Sequence, residues 1–345
     1  MGSPTDILSA YALPGRSPDS RLAITHAIEA ERIGLGSIWV SERWEGKEGG
    51  VLCGAISQVT KRIRIVAGLI HFTGRHPLAI AGLGATMQRL SGNRFVMGIG
   101  RSNPIRLKRQ GFPVFNLAHL RDSALLARRL WAGETIAYDG VLGKFDEIAL
   151  LQPPETPPPL VLGAVGPKGL ALGGEVFDGV VLHPFLTAEA VTRSAKIIRD
   201  AAVEAGRDPG AVKVTACLVM GPDFLTEAEL ASAVYARAMT YFRGAALGSG
   251  IVEANGWDPA PLERVAAAGL AGEPRADSPE EMKRFADAVA LLPPEWIAEG
   301  AAVGSVEHCA RRLHDFRRAG ADEILIHGTT PERLDSVVQA YLAMA

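Results

Sequence analysis

The sequence predicts an α/β fold in which eight parallel strands alternate with helices and close into a (β/α)8 TIM barrel. Eight short segments are rich in apolar residues, as strands covered on both faces are, and stretches with helical spacing separate them. Right-handed connections between eight such strands close a parallel sheet into a barrel. The structural alternative is a doubly wound open sheet. It usually carries a glycine-rich phosphate loop after its first strand, and Pro14-Gly15-Arg16-Ser17 is not one.

The stretch from residue 75 to 103 shows the repeating unit most clearly. His76-Pro77 opens a helix, since proline fits the first helical turn, and Ser91-Gly92-Asn93 ends it. Residues 95–99 then form a continuously apolar strand, which leads into the polar tip Gly100-Arg101-Ser102-Asn103. Parallel α/β folds place their active sites at this carboxyl end of the strands.

The remaining elements follow the same alternation. The predicted strands span residues 7–13, 37–41, 63–70, 95–99, 160–163, 178–182, 212–220 and 323–327. The predicted helices span residues 20–33, 50–59, 77–91, 117–132, 188–205, 306–318 and 331–342. A further short helix is predicted to begin at residues 166–168. A small hairpin is expected around Asp139-Gly140. Residues 225–300 have helical patterns without a convincing strand, so we interpret them as a helical insertion between strands 7 and 8 within one domain of residues 1–345.

The composition excludes several classes of function. Lys and Arg number 36 against 38 Asp and Glu, which argues against a general nucleic-acid or acidic-membrane surface. The three cysteines, Cys53, Cys217 and Cys309, are far apart and form no metal or disulfide pattern. The absence of HxH and HExxH disfavours a metal-dependent hydrolase, and no metal is expected. Without a signal segment or a run of about 18 apolar residues, we expect a cytoplasmic location.

Four stretches of the chain resemble one family. They are ERIGLGSIWVSE (31–42), RHPLAIAGLGATMQRLSGNRFVMGIGRS (75–102), LVLGAVGPKGLALGGEVFDGVVL (160–182) and VGSVEHCARRLHDFRRAGADEILIH (303–327). In order and spacing they are similar to the luciferase-like monooxygenase superfamily, in particular to its coenzyme F420-dependent oxidoreductases. The resemblance implies a bacterial-luciferase-like barrel with a flavin or deazaflavin at the carboxyl mouth. Coenzyme F420 is the expected cofactor, and FMN is the alternative.

The resemblance places cofactor contacts after the third and fourth strands. Gly68-Leu69 matches a non-prolyl cis peptide that forms a bulge and supports one face of the ring, although an ordinary strand glycine is the alternative interpretation. Arg101, Ser102 and Asn103 match the family's cofactor-contacting loop. Arg101 is equally interpretable as a solvated loop charge.

The resemblance also implies a phosphate site. Val165-Gly166-Pro167 matches the family's phosphate-binding turn, and backbone N–H groups at a helix N-terminus favour an anion there. A plain helix-opening Gly-Pro is the alternative. Leu182-His183, at the end of the sixth strand, should lie beside this turn and contact the cofactor, although a lone histidine is more often structural.

Three residues are candidates for catalysis. Glu42 lies where related F420 enzymes carry an acidic residue, often followed by a histidine, and this chain has Arg43 instead. Arginine does not act as a base, but it suits an anionic ring or a substrate carboxylate. A Glu42–Arg43 ion pair without a catalytic role is the alternative. His71 follows the expected bulge and faces either the pocket or a neighbouring strand.

These observations predict an F420-dependent oxidoreductase that transfers a hydride between the deazaflavin and a small organic substrate. An FMN-dependent luciferase-like monooxygenase is the second hypothesis, and a non-catalytic flavin- or deazaflavin-binding protein is the third. Residues 225–300 are expected to form a lid near the mouth. The expected partners are the small-molecule substrate and a second copy of the chain in a homodimer, with no nucleic acid and no membrane.

Overall fold

Eight parallel strands close into a barrel in the computed structural model, which describes residues 5–15, 19–270 and 279–344. The strands are β1 (Leu8–Ala12), β2 (Ser37–Val40), β3 (Arg64–Ile70), β4 (Phe95–Gly100), β5 (Ile136–Gly140), β6 (Gly143–Ile148), β7 (Leu160–Ala164), β8 (Gly179–Leu182), β9 (Lys213–Pro222), β10 (Ala301–Gly304) and β11 (Glu323–His327). The barrel runs β1-β2-β3-β4-β7-β8-β9-β11 and back to β1, and every one of these pairs is parallel. The predicted fold class is therefore confirmed.

Helices cover the outside of the barrel and one of its ends. They are α1 (Leu22–Arg32), α2 (Gly49–Val59), α3 (Pro77–Ser91), α4 (Pro104–Arg109), α5 (Leu117–Trp131), α6 (Pro167–Val176), α7 (Ala188–Glu204), α8 (Glu227–Leu230), α9 (Ala236–Phe242), α10 (Ala245–Asn255), α11 (Ala260–Val265), α12 (Pro279–Ala288), α13 (Pro294–Gly300), α14 (Val306–Arg318) and α15 (Asp335–Ala343). Short π-helical segments, Ala231–Tyr235 and Ala266–Leu270, extend α8 and α11. Helices α8 to α13 form the helical insertion that follows β9, as predicted. None of the helices in the described ranges is long and apolar enough to span a bilayer.

Two short elements were not predicted, and one predicted helix begins late. Helix α4 has the polar sequence PIRLKR, and its N-terminus is capped by Asn103, whose Oδ1 accepts from the N–H groups of Ile105 and Arg106. Strand β10 has only four small residues and pairs only with the last residues of β9. The last helix begins at Asp335, after a 3-10 turn over Pro331–Arg333. Residues 271–278 of the predicted insertion, and Arg16 and Ser17, lie outside the described residues.

A buried carboxylate organises the amino-terminal end of the barrel interior. Glu323 Oε1 accepts from Ser37 Oγ at 2.6 Å and from Trp39 Nε1 at 2.8 Å, and Arg64 Nη2 lies 3.0 Å from Oε2. Above it the barrel is filled by apolar side chains of alternate strand residues: Trp39, Val66, Val161, Val181, Cys217 and Leu325. This end is therefore a filled core, and the opposite rim is left for the site.

Helices α6 and α7 pack closely enough to require a glycine. A Cβ on Gly174 would lie 2.2 Å from the backbone oxygen of Ile198, whereas a Cβ on Gly82 in α3 would meet nothing within 4 Å. We expect Gly174→Ala to lower the free energy of unfolding by about 1–3 kcal/mol through overpacking. The matched Gly82→Ala should raise it by about 0.5–1 kcal/mol through helix propensity. Urea denaturation of both variants measures this, and equal effects would contradict the packing.

Candidate active site

The predicted site residues lie together on the carboxyl rim of the barrel. Because all eight barrel strands are parallel, the ends of β2, β3, β4, β7, β8 and β11 share one rim. The expected rim positions are therefore confirmed: Glu42, Gly68, Gly100, Gly163, Leu182 and His327. The same rim carries the predicted segments that follow these strands. We call this rim and the space above it the mouth.

The bulge in β3 places Leu69 across the floor of the mouth. The peptide bond between Gly68 and Leu69 is cis, as predicted, and the pairing of β3 with β4 shifts register between Ala67 and Ile70. A Cβ on Gly100 or Gly163 would come within 2.5 Å of the Leu69 side chain. Leu69 therefore lies over neighbouring glycines and forms an apolar floor at β3, β4 and β7.

Glu42 is a buried carboxylate held by four hydrogen bonds. Arg75 makes two of them, with Nη1 at 2.7 Å from Oε2 and Nη2 at 2.6 Å from Oε1. The backbone N–H groups of His71 and Gly49 donate the others, at 2.7 and 3.1 Å. Burial by itself raises the pKa of Glu42, but the bonds from Arg75 and the two amides outweigh it and hold the pKa below its usual value. Because both oxygens of Glu42 already accept hydrogen bonds, the carboxylate joins β2, β3 and α2 and is poorly placed to accept a proton.

His71 lies beside this ion pair and contacts Ser102. Its Nδ1 meets the Ser102 hydroxyl, which joins the end of β3 to the loop after β4. The Trp44 ring packs against the imidazole at a centroid distance of 4.8 Å. Burial lowers the pKa of His71 below its usual value, with a smaller opposing effect of Glu42. The imidazole is therefore neutral at neutral pH, which is the state that accepts a proton.

The loop after β2 holds Arg43 half-buried and Lys47 buried. Lys47 Nζ donates to the backbone oxygens of Leu13 and Gly15 at 2.9 and 3.1 Å and to Ser41 Oγ at 3.2 Å. Burial, followed by the positive charges of Arg43 and Arg237, lowers the pKa of Lys47 to about 8. All three acceptors are neutral, so among the described residues the ammonium group of Lys47 has hydrogen-bond acceptors but no carboxylate partner.

His327 ends β11 and His183 follows β8, and both lie under the inserted helices. Arg237 Nη1 lies 2.8 Å from His327 Nε2, and the Tyr241 ring packs edge-on against His183. Burial lowers the pKa of His183 to about 4, and burial with the nearby Arg237 lowers the pKa of His327 well below its usual value. Both rings are therefore neutral. Arg237 and Tyr241 belong to α9, so the insertion reaches the mouth.

The remaining predicted residues differ in how they are used. Asn103 caps α4 with its side chain, and Arg101 is exposed. Gly166 is the N-cap of α6, no side chain caps this helix, and a Cβ on Gly166 would meet nothing within 4 Å. Val165 lies against α10, close to Gly250. The turn thus combines open space with the unsatisfied N–H groups of a helix N-terminus.

Sequence reasoning missed four residues of the mouth. Arg75 was assigned no role, although it stands just before the predicted helix. His327 stands at the end of an apolar strand segment, as His183 does. A histidine in this position is the signal that could have identified His327. Lys47 lies in a stretch typical of a polar loop, and Arg237 lies in a stretch typical of a surface helix. Nothing in either local sequence indicates that Lys47 is buried or that Arg237 lies at the mouth.

Comparison with known proteins identifies similar chains. A family model described as luciferase-like monooxygenase matches residues 7–323. An F420-dependent glucose-6-phosphate dehydrogenase of Amycolatopsis mediterranei is 31% identical over 46% of this chain and 52% of its own length. A 5,10-methylenetetrahydromethanopterin reductase of Methanolobus tindarius is 28% identical over 70% of this chain and 73% of its own. The chain thus spans about half the length of the dehydrogenase.

A solved structure shares the fold over almost the whole chain. It is the coenzyme F420 dependent tetrahydromethanopterin reductase of Methanopyrus kandleri, with a TM-score of 0.80, 19% identity and coverage of 98% of each chain. At this identity the likeness concerns the fold alone.

Groups of His, Cys, Asp and Glu that could hold a metal ion are absent from the described ranges.

The ion pair between Glu42 and Arg75 generates a stability prediction. Arg75→Met leaves a fully buried carboxylate without its counter-charge, so we expect the free energy of unfolding to fall by about 3–5 kcal/mol. Adding Glu42→Gln removes the stranded charge and should recover part of this loss. The matched control Arg32→Met removes an exposed ion pair with Glu29 and should change stability much less. Urea denaturation measures all three, and equal losses at Arg75 and Arg32 would contradict the network.

Proposed function

The chain belongs to the luciferase-like monooxygenase family, and from this premise we propose that it is an F420-dependent oxidoreductase. The reaction is the transfer of a hydride between the deazaflavin and a small organic substrate. The observation that carries the proposal is the naming of the sequence relatives. One is named as an F420-dependent glucose-6-phosphate dehydrogenase and another as a 5,10-methylenetetrahydromethanopterin reductase.

The structure offers a fitting place for the cofactor on one half of the mouth. Gly166 leaves open space at the uncapped N-terminus of α6, which favours a phosphate. Leu69 offers an apolar surface for one face of a ring, between Gly100 and Gly163. Leu182-His183, Arg101, Ser102 and Asn103 border the same half. When bound there, the deazaflavin would supply the chemistry of a hydride carrier.

His71 is the residue that we propose moves the proton. Glu42 is saturated by Arg75 and by two backbone amides, and Arg43 keeps its proton at any working pH. His71 is neutral, and its Nδ1 is engaged by Ser102, which leaves Nε2 to exchange a proton with a substrate oxygen. Glu42 then acts by positioning the backbone of His71.

Arg43 is proposed to act by its charge. Its guanidinium is half-buried in the loop after β2 and close enough to Tyr241 to influence the pKa of that phenol. A preorganised cation at this point stabilises negative charge on the ring or on a bound substrate. The inserted helices α8 to α13 exclude water as a cover over the mouth.

Two other activities are compatible with the same fold. An FMN-dependent monooxygenase is favoured by the family's own description. A binding protein without catalysis is favoured by Arg43, which stands where related enzymes often carry a histidine. Turnover that is lost when His71 is replaced would favour the F420-dependent enzyme over the binding protein without catalysis.

We also propose that the protein is a cytoplasmic homodimer. Helices α2 and α3 present apolar side chains to solvent, with Val51 70% and Leu90 50% exposed. These two residues line a groove of about 430 Å³ between the helices. A second copy would cover this face, and light scattering on the purified protein measures the oligomeric state.

The phosphate site is tested by Gly166→Val. The valine meets no protein atom at its Cβ, so the fold should persist, but its side chain fills the space that the phosphate needs. We expect the dissociation constant for F420 to rise at least about tenfold, the equivalent of about 1.4 kcal/mol. The control is Gly82→Val, where a Cβ also meets nothing within 4 Å, on the outer helix α3. Calorimetric titration measures both, and unchanged affinity in Gly166→Val would refute the site.

The proton-transfer role is tested by His71→Gln. Glutamine retains hydrogen bonding to Ser102 but cannot exchange the proton, so turnover should fall on the order of a hundredfold or more while F420 affinity is unchanged. Arg43→Lys keeps the charge without the planar fork and should lose less turnover than Arg43→Ala. Steady-state kinetics require a substrate found by a screen that follows F420 absorbance. Full turnover in His71→Gln would contradict the assignment.

A further inference from the structure

The half of the mouth opposite the proposed cofactor residues has a concentration of positive charge. It lies at β1, β2, β9 and β11, whereas the proposed cofactor residues follow β3, β4, β7 and β8. Lys47 reaches it from the loop after β2, and Arg237 reaches it from α9. Each lowers the pKa of His327, and Arg237 also lowers that of Lys47, so the groups share one electrostatic environment. We call this group the cation cluster: Lys47, Arg237 and His327.

Neither cation of the cluster is neutralised by a carboxylate within the described ranges. Lys47 donates to two backbone oxygens and a hydroxyl. Arg237 donates to the Ala233 backbone oxygen and to His327. Lys47 is buried and Arg237 is partly buried. Because buried charge is costly unless it is paired, these two cations create a positive field that favours an anion.

The other ionisable side chains beside the cluster do not supply the missing negative charge. Tyr11 packs against the His327 ring at 4.5 Å, and Tyr241 Oη lies 3.4 Å from His327 Nε2. Burial raises the pKa of Tyr11, of Tyr241 and of Cys217, whose pKa rises to about 12. All three are uncharged at neutral pH and contribute only polarity.

His327 adds an unsatisfied donor to the cluster. Arg237 Nη1 can only donate, so His327 Nε2 accepts from it, and the proton of the neutral ring therefore lies on Nδ1. This Nδ1 is buried and has no hydrogen-bond partner in the part of the chain that the structure describes. A buried donor without a hydrogen bond costs about 1–3 kcal/mol of stability, and an acceptor oxygen on a ligand would remove that cost.

We propose that the cation cluster binds a carboxylate group of the substrate. This inference rests on the proposed function, because it assigns the substrate of that same site to the class of organic acids. The N–H groups of Arg237 Nη1 and Nη2 that are not used by His327 fit a planar carboxylate, and Lys47 supplies charge from behind. His327 Nδ1–H lies on the ring edge that faces away from Arg237, so it serves a separate acceptor oxygen of the ligand. The carboxylate then anchors the substrate over the half of the mouth that holds the ring.

The test compares an anion with a neutral molecule of the same shape on the protein without cofactor. Titration calorimetry with succinate and with succinamide should give affinity for succinate at least about tenfold tighter, and Arg237→Gln should abolish this difference. Arg318→Gln, an exposed arginine paired with Asp315, is the matched control and should behave as wild type. Equal binding of the two molecules, or unchanged succinate affinity in Arg237→Gln, would overturn the proposal.

Two further measurements make the result unambiguous. If Arg237→Gln fails to fold, Arg237→Lys provides a variant that keeps the positive charge. Its affinity for succinate should be intermediate, because lysine lacks the planar guanidinium group. Succinate titrated into the protein saturated with F420 should still bind. Loss of binding there would show that the cofactor occupies the cluster, and it would overturn the assignment to the substrate. Absence of F420 binding would refute the proposed function alone, since the succinate result is obtained without cofactor.

Discussion

The ion pair between Glu42 and Arg75 is the interaction on which the catalytic side of the mouth depends. Four hydrogen bonds converge on one buried carboxylate, and they come from the start of α2, the end of β3 and the turn before α3. Such a group is costly to bury and is stabilised only because every acceptor site is used. In return it fixes the backbone of His71. The acidic residue after β2 thus supports the site from beneath.

This arrangement divides the mouth into halves of different chemistry. On one side, glycines of β4 and β7 lie under Leu69, and the open N-terminus of α6 is close to Val165, so the surface suits a flat ring with a phosphate tail. On the other side, Lys47 and Arg237 bring positive charge beside the rings of Tyr11, Tyr241 and His327. In our proposal the cofactor and the substrate bind different halves of one rim, and the parallel strands bring both halves to the same end of the barrel.

The sequence predicts the barrel well because its signals are local. Apolar runs, helix-opening prolines and helix-ending glycines place the eight strands and most helices within a few residues, and the Gly68-Leu69 cis peptide follows from the family resemblance. Elements without such signals are missed, as β10 with its four small residues and the polar helix α4 show. Their formation depends on pairing with β9 and on the Asn103 cap.

The roles within the mouth are less predictable, because they depend on contacts between distant segments. Glu42 and Arg75 are 33 residues apart, and Arg237 and His327 are 90 apart, so neither pair is visible as a pattern. The measurement that tests the account most directly is competition between F420 and FMN for the purified protein without cofactor, followed by calorimetry. The account predicts one site per chain, with F420 bound at least about tenfold more tightly than FMN. Equal or tighter binding of FMN would contradict it.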